Sequence, residues 1–462
     1  MKIMTLKIKK ILLFLGDIFT LYLAMTFALQ FRYGGDFNYA LWKTHLLPFS
    51  IIYAIWLIVF YIIGLYELKT ATNNFNFYTR LFKAVIINTA IAAIFFYFLP
   101  LYQITPKRIL IYNAVAFALF FAGWRHIFNR FLRSSALSHN ILIIGANKEV
   151  GDLISALNQR PQLGYKITAL IDLATVTSDI NQPAFQNIKI SKSISDIPKI
   201  VAENSVKTIV SAVDPRENPR LLAVLYECFP YKISFSDLAD FYEIIIGKTP
   251  LSIIGEVWFL DNLMRNEKQI FDASKRIFDF IAAGIAGILT LPFYLFIGLA
   301  IKINSSGPIF YSQKRVGKDG KIFSMVKFRT MIRDAEKDGI QWAQKSDTRV
   351  TRVGRFLRRT RLDELPQLWN VFLGQMSFVG PRPERPEFVE LLAAEIPFYQ
   401  MRHLVKPGLS GWAQINFPYG ASVSDAMEKL QYDLYYIKNR SFILDLGIIL
   451  KTINIILRRE GI

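Results

Sequence analysis

The sequence has a single cysteine, Cys228, in 462 residues, which excludes an intrachain disulfide and a thiolate metal cluster and fits a reducing compartment for whatever lies outside a membrane. Four scattered histidines argue against a histidine-rich metal centre. Acidic residues are also scarce. Asp and Glu number 36 against 55 Lys and Arg, a net charge of +19, and that surplus suits phosphate-rich ligands, anionic lipid or nucleic acid. What is abundant is apolar: 52% of residues are hydrophobic, with 38 Phe and 21 Tyr, too many for a disordered chain or an ordinary soluble enzyme.

Four apolar runs fill the first third, Ile11 to Phe31, Leu46 to Leu65, Ala84 to Leu101 and Ile109 to Trp124, each near the length that crosses a bilayer core. They are expected to be four transmembrane helices. The first is not a cleaved signal peptide, because its run is too long and no small-residue cleavage site precedes Arg32. Lys2, Lys7, Lys9, Lys10, Lys69, Arg80, Lys83, Arg125, Arg130 and Arg133 flank the runs on one side, and Arg32, Lys43, Lys107 and Arg108 on the other. That imbalance places both ends of the bundle in the cytoplasm of a bacterial inner membrane. Asp17, inside the first run, is read as an acid near the headgroups or bonded to a neighbouring helix rather than as an ion site.

A fifth apolar run, Phe280 to Ile301, is bounded by Lys275 and Arg276 before and Lys302 after. Both flanks therefore ask to be cytoplasmic, which a straight span does not allow. Pro292 near its middle removes a backbone donor and crowds the preceding turn. The expectation is a re-entrant helix, broken at Pro292, over about residues 276–303.

Between these regions the pattern alternates strand and helix. Ile141 to Ile144, Ile167 to Ile171 and Ile209 to Val213 read as strands and Glu149 to Leu157 as a helix, the signature of a parallel α/β domain. Its opening, Gly145-Ala146-Asn147-Lys148-Glu149-Val150-Gly151, is a poor dinucleotide fingerprint, because Asn147 stands where the second glycine belongs. A structural or regulatory Rossmann-like domain is the favoured reading. The expected organisation is a bundle at 1–134, the α/β domain at 135–250, a connector at 251–271 and a mainly α catalytic domain at 272–462.

The catalytic candidates follow the fifth run. Arg315 lies among glycine turns, and Lys327 and Arg329 in Lys327-Phe328-Arg329-Thr330-Met331. Seven cations from Lys345 to Arg361, Arg358 among them, face only Asp347. Directly after them comes Leu362-Asp363-Glu364-Leu365-Pro366-Gln367-Leu368, whose two carboxylates the neighbouring cations should keep ionised, fit for nucleophilic attack or for a magnesium ion. Within about 20 residues the prolines of Val379-Gly380-Pro381-Arg382-Pro383 hold Arg382 on a stiff backbone. Cations, paired carboxylates and a rigid arginine point to phosphoryl transfer, where positioning and charge neutralisation do most of the catalysis.

These motifs, with Lys406-Pro407-Gly408-Leu409-Ser410-Gly411 and Tyr432-Asp433-Leu434-Tyr435-Tyr436, resemble the bacterial sugar transferases, the monotopic polyprenyl-phosphate phosphoglycosyl transferases, over about Lys275 to Ile462. The bundle and the α/β domain resemble the large members that begin capsule or exopolysaccharide repeat units. The resemblance implies a ping-pong reaction. Asp363 attacks the β-phosphate of a UDP-sugar, with Glu364 as its partner and magnesium (Mg2+) bound by both, and Lys327, Arg329, Arg358, Arg382 and Arg315 hold phosphate. Undecaprenyl phosphate then collects the phospho-sugar, a hexose such as glucose or galactose, at the inner leaflet. The family commonly has Ser-Pro at the helix break, where this chain has Leu291 before Pro292 and Thr290 one position earlier. Phe442 to Leu457, closed by Arg458 and Arg459, reads as an amphipathic helix against anionic lipid, and a homodimer is compatible with the resemblance.

Two rivals were weighed. A membrane-anchored nucleotide-sugar dehydratase needs a sound glycine fingerprint and a Tyr-x-x-x-Lys pair; the first is degraded and the second does not occur after residue 134. A non-catalytic assembly scaffold would have no need of the intact Asp363-Glu364 pair. Nucleic acid is not an expected partner, since the basic run lacks interleaved aromatics.

Overall fold

The computed structural model describes residues 2–98, 107–132, 139–173, 183–186, 188–264, 268–333, 335, 347–417, 420 and 422–458. Leu101, Arg133, the 134/135 boundary, part of the connector, Lys345 and Arg459 lie outside the described residues. The chain forms two compact units, Met1–Ile246 and Gly247–Ile462.

In the first unit α1 (Lys2–Tyr33), α2 (Tyr39–Ile63), α3 (Phe75–Phe98) and α4 (Lys107–Leu132) carry the four apolar runs. All four are long and apolar enough to cross a bilayer. Asn38 caps α2 by accepting from the Leu41 amide, and Gly64, at φ +83°, ends it. Phe49, Trp56, Phe60, Phe117 and Phe121 fill the bundle interior, while Phe19, Phe31, Leu119 and Ile127 point outward and are exposed. An apolar exterior of that kind belongs against lipid.

Asp17 and Arg125 are both fully buried and paired, Nε to Oδ1 at 3.0 Å and Nη2 to Oδ2 at 2.6 Å. Arg125 also donates from Nη1 to the Leu65 carbonyl at 2.6 Å. Asp17 is thus bonded to a neighbouring helix. Arg125 is not a free flanking charge, because its guanidinium is spent inside the bundle; the remaining split of flanking cations still favours the same side. Gly16 is required here, since a Cβ would fall 2.0 Å from the Trp124 ring.

The α/β part of this unit comprises β1 (His139–Ile144), α5 (Lys148–Asn158), β2 (Tyr165–Ile171), β3 (Ile190–Ser191), α6 (Ile197–Glu203), β4 (Thr208–Ser211), α7 (Pro219–Glu227), β5 (Ser234–Asp237) and α8 (Leu238–Ile246). The sheet is parallel throughout, in the order β3-β2-β1-β4-β5. Its central strands are continuous apolar runs because helices cover both faces. At the turn after β1, Gly145 takes φ +90°, which a side chain resists, and Asn147 caps α5 by accepting from the Val150 amide at 2.8 Å.

The second unit opens with α9 (Glu256–Phe259) and the long α10 (Gln269–Asn304). Next come β6 (Phe310–Val316), β7 (Ile322–Phe328), α11 (Arg352–Thr360), α12 (Gln367–Leu373), β8 (Ser377–Val379) and α13 (Pro386–Glu395). β9 (Gly408–Ser410), α14 (Trp412–Asn416), α15 (Val423–Asn439) and α16 (Phe442–Arg458) complete it. β6 and β7 pair antiparallel and β8 and β9 parallel. The expected break in the fifth apolar run is not present: α10 stays helical through Pro292. Thr290 Oγ1 bonds the carbonyls of Ala286 and Gly287, in the turn before the proline.

Both ends of α10 are tied to the same unit. Arg276 donates to the Val371 and Phe372 carbonyls at 2.8 and 2.7 Å, and Asp279 accepts from the Phe378 amide at 3.3 Å. At the far end Ile297 and Ile301 pack on Phe328 and Leu357. The stretch between, including Ile288, Leu289, Leu291 and Phe296, is exposed. α16 is arranged alike: Asp445 turns inward to Lys275 and the Tyr436 hydroxyl, while Ile443, Leu446 and Leu457 face out.

Candidate active site

The site grows from the junction of α11 with α12. Thr351 caps α11 by accepting from the Gly354 amide at 2.9 Å. Gly354 lets the helix lie against the strand-end segment after β7, for a Cβ there would fall 1.9 Å from the Thr330 carbonyl oxygen. That approach lets Arg358 Nε donate to Thr330 Oγ1 at 2.9 Å. The helix ends at Arg361, which takes the left-handed conformation at φ +59°, a strained place for a long side chain. A single 3-10 turn, Leu362–Glu364, then carries the two carboxylates, and α12 starts at Gln367.

The two acids sit in different surroundings. Glu364 Oε1 accepts from Arg382 Nη2 at 3.1 Å and Arg361 Nη1 at 3.2 Å, with Lys327 Nζ at 4.0 Å. Burial pushes its carboxyl up, but Arg382, Lys327 and Arg361 outweigh that and hold it at about 2. Asp363 is 7% exposed, and its Oδ1 has no hydrogen-bond partner. Burial, and then the Glu364 charge, push it above the ordinary carboxylate value against the pull of Lys327, Arg358 and Arg361. The neighbouring cations therefore do not treat the pair alike, as the sequence had led us to expect: Glu364 is the fixed anion and Asp363 the destabilised one.

Beside them lies a recess lined by Arg315, Met325, Lys327, Gln367, Arg382, Pro383 and Gly408. Burial lowers Lys327 to about 8 and Arg315 to about 10, each kept from falling further by a glutamate, Glu364 and Glu384 respectively. Arg315 is anchored by bonds to the Pro383 carbonyl at 3.1 Å and the Gln313 amide oxygen at 2.6 Å. The glycines of two motifs serve backbone contact. Gly380 donates to the Ser410 carbonyl and Gly408 to the Pro381 carbonyl, both at 2.9 Å, and a Cβ on Gly408 would fall 2.1 Å from the Gly380 nitrogen.

Of the sequence candidates, the structure gathers Asp363, Glu364, Lys327, Arg382 and Arg315 and leaves Arg358 one step back on Thr330. Arg329 goes elsewhere. Its guanidinium donates to the Ser306 and Ser305 carbonyls at 2.9 and 2.7 Å and to Ser305 Oγ at 2.9 Å, which fastens the end of α10 and leaves little for a phosphate. Pro292 is part of α10 and not of this site. Sequence reasoning missed Arg402. This buried cation bonds the Tyr399 hydroxyl at 2.6 Å, Asp433 Oδ2 at 2.8 Å and the Arg382 carbonyl at 3.0 Å, so it holds the backbone that carries Arg382. Asp433 belongs to a motif noted in the sequence, which was the available signal.

Among the described residues no three His, Cys, Asp or Glu side chains are placed to share a metal. Asp363 Oδ1 offers one unpartnered oxygen, while Glu364 Oε1 is already engaged by two arginines. Such a set suits magnesium that arrives with substrate phosphates, since that ion commonly uses one or two carboxylates and takes its other oxygens from phosphate and water.

Comparison with known proteins bears on both units. The family described as bacterial sugar transferase matches residues 270–459, and the family described as CoA-binding domain matches 61–233. The chain is 41% identical over 264 residues to the UDP-N-acetylgalactosamine-undecaprenyl-phosphate N-acetylgalactosaminephosphotransferase of Aeromonas hydrophila, covering 53% of this chain and 62% of that one. It is 34% identical over 309 residues to the UDP-glucose:undecaprenyl-phosphate glucose-1-phosphate transferase of Klebsiella pneumoniae, covering 65% and 64%. The like-named protein of Caulobacter vibrioides is 40% identical over 192 residues, covering 41% and 72%. The chain thus spans somewhat less than two thirds of the length of the first two relatives.

Proposed function

The chain belongs to the bacterial sugar transferase family, and from that premise we propose that it moves a sugar 1-phosphate from a UDP-sugar to undecaprenyl phosphate and releases UMP. The observation that carries this reading is the split acid pair: a buried Asp363 with one oxygen unbonded, next to a Glu364 clamped by arginines, at the edge of a cationic recess.

In the first half-reaction an ionised Asp363 oxygen bonds to the β-phosphorus. The bond from that phosphorus to the bridging oxygen breaks, and the electron pair leaves with UMP. In the second, an oxygen of undecaprenyl phosphate bonds to the same phosphorus, and the bond to Asp363 breaks, restoring the carboxylate. Neither half needs an activated water. Glu364 fixes Arg382 and Arg361 beside the reacting group, and Lys327, Arg382 and Arg315 offset phosphate charge in the recess. When bound through Asp363 and the diphosphate, magnesium supplies further neutralisation of phosphoryl charge.

The same reading places α10 in the cytoplasmic leaflet of the inner membrane, entering and leaving on one side. In support, both its ends are tied to the catalytic unit and its exposed middle is apolar, as is the outer face of α16. The basic surplus suits anionic headgroups there.

The test is UMP release by the full-length protein in lipid, with magnesium and undecaprenyl phosphate, from UDP-glucose, UDP-galactose and UDP-N-acetylgalactosamine, beside Asp363→Asn. Release from one donor, abolished by the substitution, supports the reaction and identifies the sugar. Folded protein that releases nothing from any of them overturns it and leaves the scaffold reading.

A further inference from the structure

Gln367 lies four positions after Asp363, where the 3-10 turn passes into α12, a spacing that brings side chains to one face. It is 3% exposed, and its amide nitrogen Nε2 has no hydrogen-bond partner. It lines the recess together with Lys327, Arg382 and Arg315, and Arg315 adds a second buried donor without a partner, Nε. A buried donor left unpaired is costly, and a methionine would fill the same space without that penalty. Two unmet donors and two cations around one recess call for a ligand made of acceptors. Phosphoryl oxygens answer that description, and the acid four residues away is the one whose own oxygen is unbonded.

We propose that the Gln367 amide donates a hydrogen bond to a non-bridging oxygen of the β-phosphoryl group as that group passes from UMP to Asp363 and from Asp363 to the acceptor. This rests on the transferase reading above. Gln367 gives up no proton and forms no covalent bond. The bonds made and broken are those already described, and the amide meets the oxygen whose charge shifts as the phosphorus changes partners. The position of the donor four residues from the nucleophile ties it to the group being transferred rather than to the uridine or the lipid chain.

The experiment compares the full-length native protein with Gln367→Met and Gln367→Glu, using a UDP-sugar and its two diastereomers with sulfur in place of one β non-bridging oxygen. Gln367→Met should lower kcat for UMP release by about 100-fold, the usual size for loss of one preorganised donor, with KM for undecaprenyl phosphate little changed. Gln367→Glu should be slower still, since it sets a carboxylate against the phosphate. Sulfur at one diastereotopic position should slow the native protein more than Gln367→Met, because the variant has no bond there to weaken. A purely structural role would leave that sulfur effect equal in both proteins, and equality, or native kcat in Gln367→Met, overturns the proposal. Gln367→Leu takes the place of the methionine variant if the latter does not fold. Native protein that releases no UMP refutes the transferase reading itself, whereas active native protein with indifferent Gln367 variants removes this inference alone.

Discussion

Arg382 Nη2 donates to Glu364 Oε1 across 3.1 Å, while the adjacent Asp363 keeps Oδ1 buried and unbonded. Two acids joined by one peptide bond are thereby given opposite tendencies, one held ionised at about 2 and the other pushed up. Environments that separate the titration of paired acids commonly mark a division of labour. Here the clamped acid orders the arginines, and the unclamped one is free to react.

That division sets the acid side of the pH profile. Asp363 must be ionised to attack, and burial and the Glu364 charge raise its pKa, so UMP release should rise with pH through a midpoint above the ordinary carboxylate value of about 4. Glu364→Gln removes the like charge, so the midpoint should move to lower pH even as kcat falls from loss of the Arg382 and Arg361 anchor. The pH dependence of kcat/KM for both proteins checks this. A midpoint that stays put or moves to higher pH counts against the assignment.

Lys327 governs the other side. With burial bringing it to about 8, it loses its proton at mildly alkaline pH, and with it the attraction for substrate phosphate. Activity should fall with a midpoint near that value, appearing chiefly in KM for the UDP-sugar. Lys327→Arg keeps its charge to far higher pH and should carry the plateau beyond pH 9, at some cost in kcat from altered geometry. A variant with the native alkaline midpoint would detach Lys327 from phosphate binding.

The local signals in the sequence led to much of this site. Asp363 and Glu364 are neighbours, and the glycines and prolines around Gly380 and Gly408 state their own backbone demands. What short motifs do not carry is the destination of a long side chain. Arg329 and Lys327 are two residues apart in one motif, yet alternation along and just beyond β7 does not predict that Ser305 and Ser306 claim the first while Glu364 draws the second. Arg402 stands 31 positions from Asp433 and 20 from Arg382, and only the fold joins the three. The bundle repeats the lesson, because Arg125 reads as a flanking charge until its partner 108 residues away is seen. Pro292 reads as a break, yet the long apolar helix continues through it.

Arg329 should matter to stability before chemistry. Its three bonds to Ser305 and Ser306 hold the end of α10, and hydrogen bonds from a charged group contribute roughly 1.5–3 kcal/mol each at most, so Arg329→Gln should cost about 2 kcal/mol or more. Gly307 is part of the same fastening: at φ +123°, a Cβ would fall 2.0 Å from Arg329 Nη1. Gly307→Ala should therefore destabilise as well, and the two changes together should cost less than their sum. Thermal unfolding in lipid nanodiscs, with UMP release expressed per folded molecule, separates this from phosphate binding. Additive losses, or a stable Arg329→Gln protein with raised KM, would return Arg329 to the substrate.

The Asp17–Arg125 pair should behave as a structural bond between helices. Removing one partner leaves a buried charge uncompensated, so Asp17→Ala should cost about 3–5 kcal/mol of bundle stability. Replacing both, Asp17→Leu with Arg125→Met, removes the two charges together and should recover most of that loss, short of the Leu65 carbonyl that Arg125 also satisfies. Unfolding of the detergent-solubilised protein, followed by protease sensitivity against temperature, reads the difference. UMP release by the double variant supplies the second arm. If Asp17 served as an ion or proton site, the apolar pair would restore stability and still fail in function, whereas a bond whose role is to hold α1 against α4 predicts that both return together.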